Sequence, residues 1–183
     1  MDKKVWQWER TINSQHFLVS SDRALLPHSF VQEAFATEAM FWAKPMSDES
    51  LRSMLDNSLT LGIYFLSDTD TKTPIGMARL ITDYTTLAYL TDVYLQPSHR
   101  AFGLGKWIIH CCREIALQIP DLRFMMLLTG SEQAQKLYRR ELGMHLVDGQ
   151  EEPLACMGVR KPKLADVHAA SAVPQNGPSG SDA

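Results

Sequence analysis

Three cysteines in 183 residues are too few for a disulfide framework. Cys111 and Cys112 are neighbours, Cys156 stands alone, and no metal-ligand spacing appears, so the expectation is reduced, mostly buried thiols and no metal. No apolar run approaches the ~20 residues of a membrane helix. The stretch from Met1 to Arg10 lacks the apolar core of a signal peptide. A cytoplasmic protein with no membrane partner is therefore expected. Charge is nearly balanced, with 18 Lys and Arg against 21 Asp and Glu, a net −3, and no block of one sign. That argues against a nucleic-acid partner, because phosphate backbones call for a clustered basic surface. An apolar share of 45% is ordinary for a globular chain, and the length suits one domain with a real core.

The periodicities predict a mixed αβ order. Phe17–Ser20 reads as a first strand. Leu26, Phe30, Val31, Ala34 and Phe35 recur at helical spacing, with Asp22 or a neighbour as the start and Pro27 suited to a first turn. Ser47 is a candidate cap for a second helix striped by Leu51, Met54 and Leu55. Strands follow at 60–66, 75–81 and 86–95, then a helix over 105–118 with Pro120 beyond its end. Phe124–Leu128 is continuously apolar, which predicts a strand buried on both faces. A last helix runs to Gly143, and 144–147 with 154–159 predict a closing hairpin. From Leu164 the chain turns rich in Ala, Ser, Pro and Gly, so residues 1–163 are expected to form one domain and 164–183 a disordered tail.

The segment Leu95-Gln96-Pro97-Ser98-His99-Arg100-Ala101-Phe102-Gly103-Leu104-Gly105-Lys106 carries the chemistry. It joins a predicted strand to a predicted helix. Helix N-termini hold N–H groups without intrahelical partners and a positive dipole end, which suits a phosphorylated ligand. Gly103 and Gly105 let backbone approach an anion, and Arg100 and Lys106 add charge. A P-loop would need glycine at Arg100 and Ser or Thr at Trp107, and a dinucleotide fingerprint would need glycine at Ile108, so both are excluded.

What remains, Arg100-Ala101-Phe102-Gly103-Leu104-Gly105, resembles the acetyl-CoA-binding signature of the GNAT superfamily of N-acetyltransferases, with Leu95 and Pro97 in register and Ala101 where glycine is more usual. A second segment, Ser131-Glu132-Gln133-Ala134-Gln135-Lys136-Leu137-Tyr138, is similar to that family's downstream Asn-Ala-Leu-Tyr helix. Here Ser131 takes the asparagine place, Gly143 falls one residue late, and Met144 replaces an aromatic.

The resemblance implies an α+β fold, a mostly antiparallel twisted sheet of about seven strands flanked by about four helices. It also implies direct transfer of an acetyl group from acetyl-CoA to a primary amine in a ternary complex. The cofactor would lie along Val93, Tyr94, Leu95, Arg100, Ala101, Phe102, Gly103, Leu104, Gly105, Lys106, Ser131 and Tyr138. Tyr138 is the implied proton donor to the departing thiolate, with an amphipathic core tyrosine as the alternative. Asp92 is the implied base or amine anchor, with an aspartate hydrogen-bonded to a neighbouring loop as the alternative. Asp83 is a second candidate for the base. A small-molecule amine is the expected partner. A protein lysine or N-terminus, and a non-catalytic acyl-CoA-binding module, stay open, as does a homodimer. Phe41 and Trp42 fit either an acceptor wall or the core. Trp6 and Trp8 fit packing on the sheet or on a partner chain.

Overall fold

The computed structural model describes residues 4–67, 69, 71–149 and 156–158. The chain divides into two units, Met1–Met144 and His145–Ala183. In the second, the Cys156 amide donates to the Val147 carbonyl at 3.2 Å. No strand is assigned among its described residues. Parts of the expected closing hairpin, and the whole tail from Leu164, lie outside the described residues.

The first unit is built on a six-stranded sheet in simple chain order. Its elements run β1 (Gln7–Ile12), β2 (Gln15–Ser20), α1 (His28–Phe35), α2 (Asp48–Asp56), β3 (Leu59–Leu66), β4 (Lys72–Thr82), β5 (Leu87–Leu95), α3 (Leu104–Leu117), β6 (Phe124–Leu127) and α4 (Glu132–Leu142). All pairings are antiparallel except β5 with β6, which is parallel. Among the described residues no helix is long and apolar enough to cross a membrane.

One strand was hidden in the sequence. β1 pairs with β2 through a two-residue turn, Asn13-Ser14, in which both residues have positive φ (49° and 61°). Such a turn matches the twist of a hairpin, but Asn-Ser is a weaker signal than Asn-Gly. Trp6 and Trp8 stack 6.0 Å apart on this edge, and both pack against the sheet's core. The expected first strand is thus the second.

The helices bury two different faces. Leu104, Ile108, Cys111, Cys112 and Ile115 of α3 pack on one side of β3–β5. Burial pushes the Cys111 thiol up to about 12 and the Cys112 thiol higher still, as inert thiols require. On the other side α1 and α2 close over Met77 with Phe30, Val31, Leu51 and Leu55. Ser47 caps α2 as expected, its Oγ accepting from the Ser50 amide at 3.2 Å. Asp22 caps a short 3₁₀ turn (Arg23–Leu25), and α1 proper begins at His28 with Pro27 as its N-cap. β6 is only half-buried along its length, against the expectation of burial on both faces. It ends the strand order, so β5 is its sole sheet neighbour among the described residues.

Candidate active site

The site grows out of an irregularity in β5. Met77 faces Tyr94 and Arg79 faces Thr91, so Asp92 and Val93 together oppose the single residue Ala78. The extra residue is accommodated by Asp92 at φ 51°, a left-handed conformation that aspartate tolerates better than most residues. Pairing with β6 covers Leu87–Leu90 alone. Past the bulge, the β6-facing edge of β5 is thus not taken up by β6.

A cleft of about 360 Å³ opens there. Its floor is Val93, Tyr94 and Leu95. One wall is the turn into α3, with Arg100, Gly103, Gly105, Lys106 and Ile109. The other is Leu137 and Tyr138 of α4, with Ala39 from the α1–α2 connection. Sequence reading missed Ile109 and Leu137 as lining residues, whereas Ala39 falls in the 37–46 connection that the family resemblance offers as an acceptor wall. Ile109 lies one helical turn after Lys106, and Leu137 is next to Tyr138, so both could have been found by projecting the helices.

The turn owes its shape to its residues. Pro97–Phe102 forms a 3₁₀ segment, opened by proline at its first position. Gly103 then adopts φ 70° and starts α3 at Leu104. At Gly103 the backbone angle itself demands glycine. At Gly105 no positive φ is needed, and an added Cβ would meet nothing of the protein within 4 Å. The chain's own packing therefore does not require glycine at 105. The first amides of α3 lack intrahelical acceptors by geometry. Arg100 Nε donates to the Leu95 carbonyl at 3.2 Å, which fastens the turn to the strand end.

Of the other expected contacts, Leu104 is buried in the core and Phe102 packs 5.6 Å from Phe17, so their side chains serve the fold. Ala101 is exposed. Ser131 caps α4, its Oγ accepting from the Ala134 amide at 3.3 Å, and it does not line the cleft.

Tyr138 does line the cleft. Burial raises its phenol above the ordinary value, with Cys112 adding to the rise. The hydroxyl is therefore protonated at neutral pH and able to give a proton.

Asp92 lies beside the cleft rather than in its lining. It is 5% exposed, and its carboxylate is fully engaged. Arg79 donates from Nε and from a terminal nitrogen to Oδ2, each at 2.7 Å. Trp42 Nε1 and Thr91 Oγ1 each donate to Oδ1 at 3.2 Å. Phe41 (78% exposed) and Trp42 (45% exposed) meet edge to face at 5.0 Å, so the core reading of this pair does not hold. Trp42 is tied to β5 by its bond to Asp92. Asp83 sits at the opposite end of β5, where its carboxylate accepts from the amides of Thr85, Thr86 and Leu87. The Thr86 hydroxyl, which donates to its Oδ2 at 2.6 Å, and then those amides hold its carboxyl well below the usual range and close the β4–β5 hairpin. Among the described residues no cluster of His, Cys, Asp and Glu could hold a metal ion.

A strand edge, a glycine-opened helix start and Tyr138 thus meet in one cleft. Residues 28–144 match the family model described as the Acetyltransferase (GNAT) family. A Gibberella zeae protein that bears the name acetyltransferase is 31% identical over 141 residues, covering 70% of this chain and 78% of its own. A Xanthomonas campestris crystal structure described as an acetyltransferase of the GNAT family superposes with a TM-score of 0.61 at 27% identity, covering 81% of this chain and 96% of that one. An acetyltransferase structure from Trypanosoma brucei shares the fold with a TM-score of 0.51 at 20% identity, over 86% of this chain and 99% of that one. The chain belongs to the GNAT family of acetyltransferases.

Proposed function

We propose that this protein transfers an acetyl group from acetyl-CoA to the primary amine of a small molecule, by direct attack in a ternary complex. The observation that carries the reading is the meeting of the open β5 edge, the Gly103–Lys106 turn and Tyr138 in one cleft. The turn's amides, with Arg100 and Lys106, take the diphosphate. The pantetheine arm runs along Val93–Leu95 as an added strand would. An amide near Leu95 takes the charge that grows on the thioester oxygen.

The amine nitrogen attacks the carbonyl carbon and the carbon–sulfur bond breaks. The thiolate leaves with the Tyr138 proton, and the proton that the attacking nitrogen then sheds restores the phenol, giving an N-acetyl amine and free CoA thiol. The attacking amine must first lose a proton, since an alkyl amine of pKa ~10.4 is mostly charged at neutral pH. In this reading Asp92, with its carboxylate taken up by Arg79, anchors Trp42 at the acceptor side, and water carries the proton away. A cytoplasmic setting goes with this reading.

The test is thiol release from acetyl-CoA over a panel of small amines and lysine peptides. Turnover with small amines is expected. Better turnover with peptides would move the acceptor to protein, and binding without any turnover would make this a non-catalytic module.

A further inference from the structure

Helix α4 carries Tyr138 into the cleft, yet none of its residues is fully buried. Tyr138 and Leu142 pack against the core only in part. A polar clasp supplements that packing. Glu141, one turn after Tyr138, presents a carboxylate whose side chain is 5% exposed. Lys106 Nζ of α3 lies 3.1 Å from its Oε2, and His110 Nε2, one turn further along α3, donates to the same oxygen at 2.9 Å. Arg140 Nε donates to Oε1 at 2.6 Å. Lys106 is the member that also lines the cleft, and it is 52% exposed.

We infer that Glu141 is a positioning residue that couples the two ends of the site, holding Tyr138 in place through α4 while competing with the cofactor diphosphate for Lys106. This rests on the reading of the cleft given under Proposed function. With acetyl-CoA absent, Lys106 neutralises Glu141. When a diphosphate arrives, the ammonium shifts to it, and His110 and Arg140 keep the carboxylate and α4 where they were. The arrangement restrains the cofactor's affinity in return for a fixed proton donor.

That gives the variant Glu141→Gln an unusual pair of effects. Lys106 is released to the diphosphate and a negative charge beside it is lost, so acetyl-CoA binds about three- to tenfold tighter, the scale of one charge near a partly exposed site. The α3–α4 clasp weakens, Tyr138 is held less well, and kcat falls about tenfold, part of what a positioned general acid contributes. A residue with a merely structural part would weaken binding and turnover together.

The experiment measures acetyl-CoA affinity by calorimetry and kcat by thiol release for the intact protein, Glu141→Gln, Lys106→Met and the double variant. Tighter binding with slower turnover in Glu141→Gln is expected, with the gain in affinity shrinking to under twofold on the Lys106→Met background. Unchanged or weaker affinity, or unchanged kcat, overturns the inference. Should Glu141→Gln not fold, Glu141→Met, which removes the same charge, takes its place, and the same opposed changes are required of it. If the intact protein itself neither binds acetyl-CoA nor releases thiol, it is the reading of the cleft that has failed, and the inference falls with it.

Discussion

Strand β5 feeds two regions three residues apart that are built in opposite ways. At its C-terminal end, from Leu95 to Lys106, the chain makes the proposed cofactor surface from consecutive backbone, with Gly103 bending it and Arg100 tying it back to Leu95. At the bulge, Asp92 gathers Arg79 from β4 and Trp42 from the α1–α2 connection, partners 13 and 50 residues away. The first region is local, partly exposed and cheap to alter without unfolding the protein. The second is long-range, buried and bound up with the fold. The comparison teaches that the turn into α3 is set by a motif and the Asp92 end by tertiary packing.

The sharpest way to break that contrast is to move a charge in each region. Asp92→Asn leaves the mostly buried Arg79 guanidinium without its counter-ion and should cost about 3 kcal/mol of folding stability, read from urea unfolding. A loss under about 0.5 kcal/mol would mean the network holds little together. If the variant folds, its pH–rate profile should keep the intact protein's shape. A missing acidic limb would instead make Asp92 the base.

Tyr138→Phe should lower kcat about a hundredfold and leave acetyl-CoA affinity within twofold, as removal of a proton donor requires. An unchanged kcat would return Tyr138 to the core tyrosine it also resembled.

The glycines sharpen the local side. Gly103→Ala forces alanine into φ 70° and should destabilise the fold by about 1–2 kcal/mol. Gly105→Ala meets open space and should stabilise α3 by about 0.5 kcal/mol, while lowering acetyl-CoA affinity about tenfold because the new methyl stands where the diphosphate must approach. Calorimetry on a folded Gly105→Ala protein with unchanged affinity would remove the diphosphate from this turn.

The smallest effect concerns acid. Arg140, first of all, and then Lys106 and His110 hold the Glu141 carboxyl down from 4.5 to about 2. A depressed carboxyl contributes stability that is present above its unfolded value and is lost as pH falls through the folded one. The intact protein should therefore lose stability between about pH 4.5 and 2 slightly more steeply than Glu141→Gln, measured as the urea midpoint against pH.

The same contrast explains what could be read from the sequence. The turn was legible because its strand, proline, arginine, glycines and helix are contiguous, and each has a local physical reason. So were the α3 stripe and the Ser47 cap. The Arg79–Asp92–Trp42 network was not, because a bulge breaks the alternation that would have oriented Asp92, and nothing local links Trp42 to it. β1 was missed for want of a strong turn pair, and β6 was read as buried on both faces because apolar content does not reveal where a strand falls in the sheet. Glu141 drew no notice. On α4 it reads as one more charge in a polar run, and its partners sit one turn apart on α3.

The central claim is that the first amides of α3 grip the diphosphate of acetyl-CoA beside an open β5 edge. A crystal structure of the protein with CoA tests it most directly. The account predicts phosphate oxygens within about 3 Å of the amide nitrogens between Gly103 and Lys106, with the pantetheine along Val93–Leu95. CoA density elsewhere on the protein, or phosphates remote from those amides, would contradict it.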